Sequence, residues 1–324
     1  MRLFKIYQNR TNLQRLIGHF TGSERGTLVI ALAAVHGNEP SGIQALKTLF
    51  SRLEDTQNSS AGLLFKGRIV GLMGNIQAYE RRLRFVKQDL NRIMTLENLK
   101  KARLTPQYRL IYEDLELFEL IQAIKTEVAT YKPSRLVVLD LHTTSADGGI
   151  FSIVNDDMES LNLAKQLNVP VVLGMVGSTG GTTLHYFTTE NMGIPTISFA
   201  FEAGQHEDAQ SVKRTIAWLY NILRATKAIE PHDVESRYDM ILKDYSRYLP
   251  KVVEFLYVHI VEPDDHFQMR PGYENFQAVK AGEILADDQY GPIRAKEDGL
   301  LLMPLYQRKG IEGFFLVKDK TPRF

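Results

Sequence analysis

The sequence predicts an α/β fold, in which a sheet flanked by helices is followed by a smaller all-β domain. Through the first two thirds of the chain, apolar runs of strand length alternate with segments of helical periodicity. Toward the end of the chain, glycines recur roughly every ten residues, as in short strands joined by turns. We therefore predict an α/β domain over residues 1–228 and a β-rich domain over residues 229–324.

The composition excludes several classes of function. The 324 residues include 39 Lys and Arg against 38 Asp and Glu, and this balance argues against a broad nucleic-acid or anionic-membrane surface. Cysteine is absent, which excludes disulfides and thiolate chemistry and leaves His and carboxylates as the strong metal ligands. No signal peptide is evident, and no stretch approaches the ~20 apolar residues of a membrane span. We expect a soluble cytoplasmic protein.

The predicted strands are nearly continuous apolar runs, as expected for strands buried on both faces of a parallel sheet. They cover residues 27–35, 67–75, 136–142, 149–154, 169–173 and 195–201. Helical periodicity predicts helices after Pro40, around 117–128, around 158–167 and over 212–226. Loops are predicted for the polar segment 51–60 and for the arginine-rich segment 76–92, whereas residues 1–26 receive no assignment.

The pattern changes after residue 227. A linker helix is predicted near residues 233–248, followed by the short strands of the β-rich domain. Lys296 lies in a turn reminiscent of lipoyl- or biotinyl-type attachment sites, but the flanking residues that those sites use are missing. We interpret Lys296 as part of an ordinary turn.

Two histidines stand at the carboxyl ends of predicted strands. His36 follows the first strand, with Glu39 three residues later, and His142 ends the third strand. A catalytic zinc site commonly uses two His and one Glu and keeps a position open for water. His36, Glu39 and His142 are therefore the candidate zinc ligands. Alternatively, the histidines are satisfied polar residues at strand ends, while Asp140 is a carboxylate that orients His142 or a buried acid with other partners.

Glu202 is the candidate general base. It follows the predicted strand 195–201, so it would lie at the same edge of the sheet as the two histidines. A zinc hydrolase needs a carboxylate that does not bind the metal, to take a proton from water and pass it to the leaving amine. The alternative is that Glu202 caps the helix beginning near Asp208 or pairs with an arginine.

The segment around residues 84–92 is the candidate substrate clamp. Asn91 and Arg92 could hold a substrate carboxylate, because a guanidinium group binds carboxylates through paired hydrogen bonds. Arg84 could stabilise the oxyanion that forms when water attacks an amide carbonyl. The alternative is a solvated basic loop.

Four short motifs occur in an informative order: His36-Gly37-Asn38-Glu39, Asp89-Leu90-Asn91-Arg92, Asp140-Leu141-His142 and Glu202-Ala203-Gly204. In this order they resemble the aspartoacylase and succinylglutamate desuccinylase family of the zinc carboxypeptidase superfamily, over roughly residues 27–226. The resemblance implies a zinc-carboxypeptidase-like mixed sheet and one zinc ion per chain. It also implies the roles given above for the ligands, Glu202, Arg84, Asn91 and Arg92. The family takes a tyrosine from its C-terminal domain into the pocket, and Tyr306 resembles that residue.

The hypothesis that follows is a zinc-dependent amidohydrolase that cleaves a small N-acyl amino acid, with the C-terminal domain covering the active site. A zinc carboxypeptidase acting on small peptides and a non-catalytic binding protein are the alternatives, and a homo-oligomer is possible. The sequence assigns no role to the glycine-rich loop 177–183 or His185. His206 is either close to the site or on the surface.

Overall fold

The structure is a computed structural model that describes residues 13–58, 63–230 and 237–321. Its strands are β1 (Leu16–Thr21), β2 (Glu24–Ala33), β3 (Lys66–Met73), β4 (Leu136–Thr144), β5 (Phe151–Val154), β6 (Val171–Leu173), β7 (Thr196–Gln205), β8 (Val252–Ile260), β9 (Gln268–Met269), β10 (Ala278–Val279), β11 (Ile284–Asp288), β12 (Gly291–Arg294), β13 (Gly299–Leu302) and β14 (Glu312–Asp319). Its α-helices are α1 (Ser41–Gln57), α2 (Ile76–Glu80), α3 (Leu96–Leu104), α4 (Tyr112–Tyr131), α5 (Met158–Ala164), α6 (Thr183–Tyr186), α7 (Thr189–Met192), α8 (Gln210–Ala225) and α9 (Arg237–Tyr245).

One large mixed sheet organises the described part of the chain. Its strand order is β1-β3-β2-β4-β7-β5-β6-β8-β14-β13-β10. The strands β3, β2, β4 and β7 pair in parallel, whereas β1 and β5 pair antiparallel to this block. The chain passes from β2 to β3 on one side and then to β4 on the other side of β2. Such a reversal leaves a crevice at the carboxyl ends of the strands, where α/β sheets commonly bind ligands.

Helices cover both faces of the parallel block, which explains why its strands are apolar along their whole length. Alternate residues of β2 point to opposite faces. Val29, Ala31 and Ala33 join the core cluster of α1 and α8, whereas Leu28, Ile30 and Leu32 join the cluster of α4. The larger of these side chains, Leu28, Val29, Ile30 and Leu32, are almost completely buried, which contributes about 2 kcal/mol of hydrophobic stabilisation per residue.

The C-terminal part of the chain extends the same sheet. Strand β8 pairs in parallel with β6, and β14, β13 and β10 continue from it antiparallel. A separate antiparallel sheet of order β12-β11-β9 completes this region. The α/β architecture with a smaller β-rich part is therefore confirmed, and the boundary at residue 228 stays a prediction. Among the described residues, no helix has the length and apolar character needed to cross a bilayer.

Several local predictions were wrong. The prediction of a loop at 51–60 fails because α1 continues to Gln57; its last turns are polar because only Leu53 among them is buried. Residues 59 and 60 lie outside the described residues, as do the first residues of the predicted linker helix. The segment 76–92 contains the short helix α2 and a 3₁₀ turn at Leu90–Arg92. Strand β1 and helix α3 had no sequence prediction.

Candidate active site

The candidate metal ligands lie at the crevice between β2 and β4. The chain leaves β2 through Ala34, whose positive φ of 53° turns the backbone so that His36 follows immediately. Gly37 is required at this turn, because a Cβ there would lie 2.1 Å from the carbonyl carbon of Ala78. Glu39 precedes α1, and His142 lies within β4, all of whose residues are buried.

The three candidate ligands converge on one point. His36 Nδ1 lies 2.9 Å from Glu39 Oε1, and His142 Nδ1 lies 2.9 Å from Glu39 Oε2. One ligand atom from each residue lies within 4.8 Å of the others, and all three side chains are buried. Glu39 and His142 are 103 residues apart in the sequence. The parallel pairing of β2 with β4 brings them together.

Carboxylates hold the outer nitrogens of both histidines. Asp89 Oδ1 lies 3.1 Å from His36 Nε2, and Asp140 Oδ2 lies 2.8 Å from His142 Nε2. Both ring nitrogens of each histidine face a carboxylate oxygen, so either nitrogen can carry a proton when no metal is bound. A metal at Nδ1 would take the place of the proton there, while the N–H on Nε2 would stay with Asp89 or Asp140. Two imidazole lone pairs and one carboxylate form the donor set of a catalytic zinc ion. The residues present therefore fit zinc.

Glu202 lies beside this group. It is the register partner of His142 across β4 and β7, so the two side chains share one face of the sheet. The carboxyl is 7% exposed, and its Oε2 has no hydrogen-bond partner among the described residues. Burial raises the pKa of Glu202 to about 8, against the lowering effect of His142, while Glu39 and Asp140 raise it further. A carboxyl group in this state can exchange a proton near neutral pH.

Within the described ranges, Glu202 neither caps a helix nor forms an ion pair with an arginine. Helix α8 begins at Gln210 without a side-chain cap. Arg214, the arginine nearest in sequence, pairs instead with Asp208. Glu202 is therefore free to face the cavity.

The clamp segment is organised by Asp89. Its Oδ2 accepts from Arg84 Nε at 3.1 Å, and its Oδ1 accepts from the backbone N–H of Asn91 at 2.8 Å and contacts His36. Although burial alone would raise the pKa of Asp89, the neighbouring His36 and Arg84 hold it well below the ordinary value. One carboxylate thus fixes the position of two clamp residues and one metal ligand.

Arg92 is paired with an acid from the C-terminal part of the chain. Its Nε donates to Glu312 Oε1 at 2.8 Å, and its Nη1 donates to the Asn91 carbonyl at 2.6 Å. Arg84, Asn91, Arg92 and Glu312 all line the same cavity. The clamp residues predicted from the sequence are therefore brought together, and Glu312 is an addition that the sequence did not suggest.

Glu113, on α4, is a second residue that sequence reasoning missed. It is fully buried, and its carboxylate accepts from the backbone N–H groups of Val86, Lys87 and Gln88 at 2.6, 3.0 and 3.3 Å. It also accepts from Asn75 Nδ2 at 3.1 Å. These bonds fix the loop between Arg84 and Arg92 in its position. In the sequence Glu113 resembles any acid in the first turn of a helix.

The glycine-rich loop 177–183 packs against the clamp. The backbone N–H of Thr183 donates to Asn91 Oδ1 at 2.8 Å, and the Thr183 hydroxyl donates to Asp140 Oδ2 at 2.5 Å. Gly181 has a positive φ of 70°, and a Cβ there would lie 2.1 Å from the carbonyl oxygen of Arg92. The loop therefore orients Asn91, whose Nδ2 lies 3.4 Å from His142 Nε2.

The two histidines without a predicted role lie close to these groups. His185 Nδ1 accepts from the backbone N–H of Gly181 at 3.2 Å and closes the glycine-rich loop. His206 Nδ1 lies 2.7 Å from the Thr143 hydroxyl, and the Thr143 backbone N–H donates to Glu39. His206 is half-buried behind the candidate metal ligands rather than on the surface.

The candidate metal ligands, Glu202 and the clamp residues Arg84, Asn91 and Arg92 line an open cavity of about 840 Å³, a volume that includes its solvent-filled mouth. The C-terminal part contributes Met303, Leu305, Gln307 and Glu312 to its wall. Tyr306 does not line the cavity, contrary to the expectation from the resemblance. Its hydroxyl donates to the Arg270 carbonyl at 2.7 Å and accepts from the Tyr273 N–H at 2.9 Å, whereas its neighbours Leu305 and Gln307 line the cavity.

Lys296 lies outside the site. It is exposed in the connection between β12 and β13, with its Nζ 4.2 Å from the centre of the Tyr257 ring. An ordinary surface turn accounts for it.

Comparisons with a family model and with a curated relative point to the same family. A family model described as the succinylglutamate desuccinylase/aspartoacylase catalytic domain matches residues 25–226. A curated relative from Nostoc sp., described as a probable aspartoacylase, is 30% identical over 141 residues. That alignment spans 43% of this chain and 43% of the relative.

Solved structures share the fold at low sequence identity. A succinylglutamate desuccinylase/aspartoacylase from Rhodobacter sphaeroides is 17% identical, with a TM-score of 0.63, covering 94% of this chain and 88% of that one. Succinylglutamate desuccinylase from Vibrio cholerae is 19% identical, with a TM-score of 0.56, covering 91% and 82%. A variant of murine aminoacylase 3 is 17% identical, with a TM-score of 0.59, covering 92% and 95%.

Proposed function

This chain belongs to the succinylglutamate desuccinylase/aspartoacylase family, and from that premise we propose that it is a zinc-dependent hydrolase of N-acyl amino acids. The products would be the free amino acid and a carboxylic acid. The observation that carries the proposal is the convergence of two imidazole Nδ1 atoms on the Glu39 carboxylate, with an unpartnered, protonatable carboxyl group on the neighbouring strand.

His36, Glu39 and His142 would hold the metal. Zinc, when bound, supplies a Lewis acid and lowers the pKa of a water molecule. Asp89 and Asp140 keep the protons of the two histidines on Nε2, so that Nδ1 is available as a ligand.

Glu202 is the proposed proton carrier. It would take a proton from the attacking water and deliver it to the amide nitrogen as the C–N bond breaks. Its raised pKa suits both steps, since a carboxyl group that titrates near neutral pH can both accept and return a proton.

Arg84, Asn91 and Arg92 are the proposed substrate ligands. The guanidinium group of Arg84 would donate to the oxyanion that develops on the acyl carbonyl. Asn91 and Arg92 would hold the α-carboxylate of the amino acid. Residues of the C-terminal part line one side of the cavity. Their position there favours a small substrate over a long peptide.

The experiment is metal analysis and amine-release assays on the zinc-loaded wild type and the Glu202→Gln variant. We expect one zinc per chain in both proteins and a loss of at least about a hundredfold in kcat in the variant. The matched control is Glu207→Gln, since Glu207 is exposed and nearby in sequence. Near-normal activity of Glu202→Gln would overturn the assignment of the base, and failure of the wild type to bind zinc would overturn the metal site.

A further inference from the structure

The basic side chains of the cavity wall are paired with carboxylates, apart from any charge that a bound metal would add. Apart from the two candidate metal ligands His36 and His142, the basic side chains lining the cavity in the described part of the chain are Arg84 and Arg92. Arg84 is bonded to Asp89, and Arg92 is bonded to Glu312. Among the described residues, no lining guanidinium or ammonium group is left without a carboxylate partner to receive a second carboxylate of a substrate.

Glu312 adds a negative charge to the wall itself. It begins β14, is 8% exposed, and lies 2.8 Å from the guanidinium that is proposed to bind the substrate's α-carboxylate. A second carboxylate near Arg92 would meet both the bound α-carboxylate and Glu312, so that three carboxylates would share one guanidinium group. Burial of such like charges without an additional cation is costly.

The remaining walls are mostly apolar. Ile153, Met175 and Leu184 come from the α/β part, and Met303, Leu305 and Phe315 come from the C-terminal part. The hydroxyls of Thr144 and Ser145 donate to the carbonyls of Ala146 and Pro304, and that of Thr183 donates to Asp140. Thr143, Thr179, Thr182 and Gln307 also line the cavity, and all four are neutral. This part of the wall therefore offers neutral hydrogen-bonding groups but no cation to a second substrate carboxylate.

We propose, on the basis of the function proposed above, that the substrate has one carboxylate and is otherwise uncharged: an N-acyl amino acid with uncharged acyl and side-chain groups. Glu312 is the specificity-determining residue that excludes a second carboxylate. Acetylaspartate-like and succinylglutamate-like dicarboxylates are therefore poor substrates, although the fold is that of their hydrolases.

The test uses pairs of substrates with nearly the same shape and different charge. At the side-chain end, N-acetyl-L-leucine, N-acetyl-L-asparagine and N-acetyl-L-aspartate are compared. At the acyl end, 4-methylpentanoyl-L-leucine is compared with succinyl-L-leucine. For the zinc-loaded wild type we expect kcat/KM for the uncharged member to exceed that for the second-carboxylate member by at least about a hundredfold at one or both ends.

The variant Glu312→Gln should raise the ratio of dicarboxylate to monocarboxylate kcat/KM by about tenfold or more, because the like charge is removed and Arg92 is released. Glu254→Gln is the matched control, since Glu254 is an acid of the same region that pairs with Lys320 on the surface. The control should leave the ratio unchanged. An unchanged ratio in Glu312→Gln would contradict the role of Glu312.

Failure of this inference is distinguishable from failure of the proposed function. Hydrolysis of the aspartate or succinyl compounds as fast as their uncharged counterparts overturns the inference and leaves the amidohydrolase intact. Hydrolysis of none of the compounds overturns the proposed function. In that case calorimetric binding to the zinc-loaded protein decides the inference: tighter binding of N-acetyl-L-leucine than of N-acetyl-L-aspartate supports it, and the reverse or no binding overturns it.

Discussion

The carboxyl groups of Glu39 and Glu202 lie close together in the site, but their pKa values are shifted in opposite directions. Burial would raise the pKa of Glu39, but the His36 and His142 side chains hold it well below the ordinary value. Glu202 has no such direct partner, and burial raises its pKa to about 8. A separation of this kind supports the proposed roles of Glu39 as an ionised ligand and of Glu202 as a proton carrier.

The raised pKa of Glu202 predicts how the stability of the folded protein changes with pH. The native state holds the proton of the Glu202 carboxyl group more tightly than the unfolded chain does. The stability that this proton contributes to the native state is therefore fully present below the ordinary pKa of 4.5 and is lost as pH rises to about 8. In metal-free protein, Glu202→Gln should therefore have a growing advantage in the free energy of unfolding between pH 5 and 9. At about 1.4 kcal/mol per pKa unit, the advantage should reach several kcal/mol.

Urea unfolding in the presence of a chelator, at pH 5, 7 and 9, measures this difference. Glu207→Gln should show no comparable trend. A Glu202→Gln advantage that is constant or shrinks with rising pH would contradict the burial argument.

Asp140 supports a second prediction at the residue scale. Asp140→Asn keeps the size of the side chain but removes the charge that fixes the proton on His142 Nε2. Zinc affinity should fall by roughly 10–100-fold, as measured by competition with a chromophoric chelator. The surface variant Asp287→Asn, whose carboxylate pairs with Arg270 at a similar distance, should bind zinc as the wild type does. Equal affinities of the two variants would indicate that Asp140 does not orient the ligand.

At the scale of elements, helix α4 and the loop 177–183 position the clamp that the parallel strands do not reach. The clamp segment lies between β3 and β4 and contains only a short 3₁₀ turn of its own. Glu113 of α4 holds one side of it through three backbone N–H groups, and Thr183 and Gly181 hold the other. The positions of Arg84 and Asn91 thus depend on two elements distant in sequence.

Replacing Glu113 tests this dependence. Glu113→Gln places an NH₂ donor where backbone N–H groups need an acceptor, so it should destabilise the fold by about 2–4 kcal/mol. It should also lower kcat/KM by at least about tenfold through misplaced Arg84 and Asn91. Hydrogen exchange at residues 86–88 should become faster.

The control for this variant is Asp114→Asn, since Asp114 contacts the same loop only through the Gln88 side chain. It should leave exchange at 86–88 and kcat/KM close to wild type. If Glu113→Gln lost stability without faster hydrogen exchange at residues 86–88, Glu113 would not hold this loop in position.

At the scale of the whole molecule, one sheet joins the two predicted domains. The pairing of β6 with β8 is accompanied by a shared core in which Phe151 and Val172 pack with Val253, Phe315 and Val317. Across the cavity, Arg92 bonds to Glu312, and Lys309 Nζ donates to the Phe85 carbonyl at 2.8 Å. These contacts couple the stability of the two parts.

The coupling predicts a single cooperative unfolding transition. Calorimetry should give a van't Hoff enthalpy equal to the calorimetric enthalpy. Val253→Ala, at a fully buried position of β8, should cost about 2 kcal/mol and shift the whole transition. Ile260→Ala, at an exposed position of the same strand, should change stability little. Two separate transitions would show that residues 1–228 and 229–324 unfold independently.

The sequence by itself determined the α/β architecture and the convergence of its strand ends. Periodicity reports burial on one or both faces, so the runs before His36, His142 and Glu202 identified the strands of the parallel block. Parallel strands present their carboxyl ends at one edge, so the residues that follow them were predicted to meet. The clamp residues were found because arginine and asparagine clustered in one short segment.

Only the tertiary structure decided how those residues are paired. Glu113, Glu312 and Thr183 act through contacts with residues 25 to 220 positions away, and no local pattern distinguishes them from other polar residues. The position of Tyr306 outside the cavity has the same cause. Its side chain direction is set by contacts with Arg270 and Tyr273 in the C-terminal part rather than by its motif. Charge balance in a cavity is a property of side chains assembled from several elements, and it is this balance that bears on the choice of substrate.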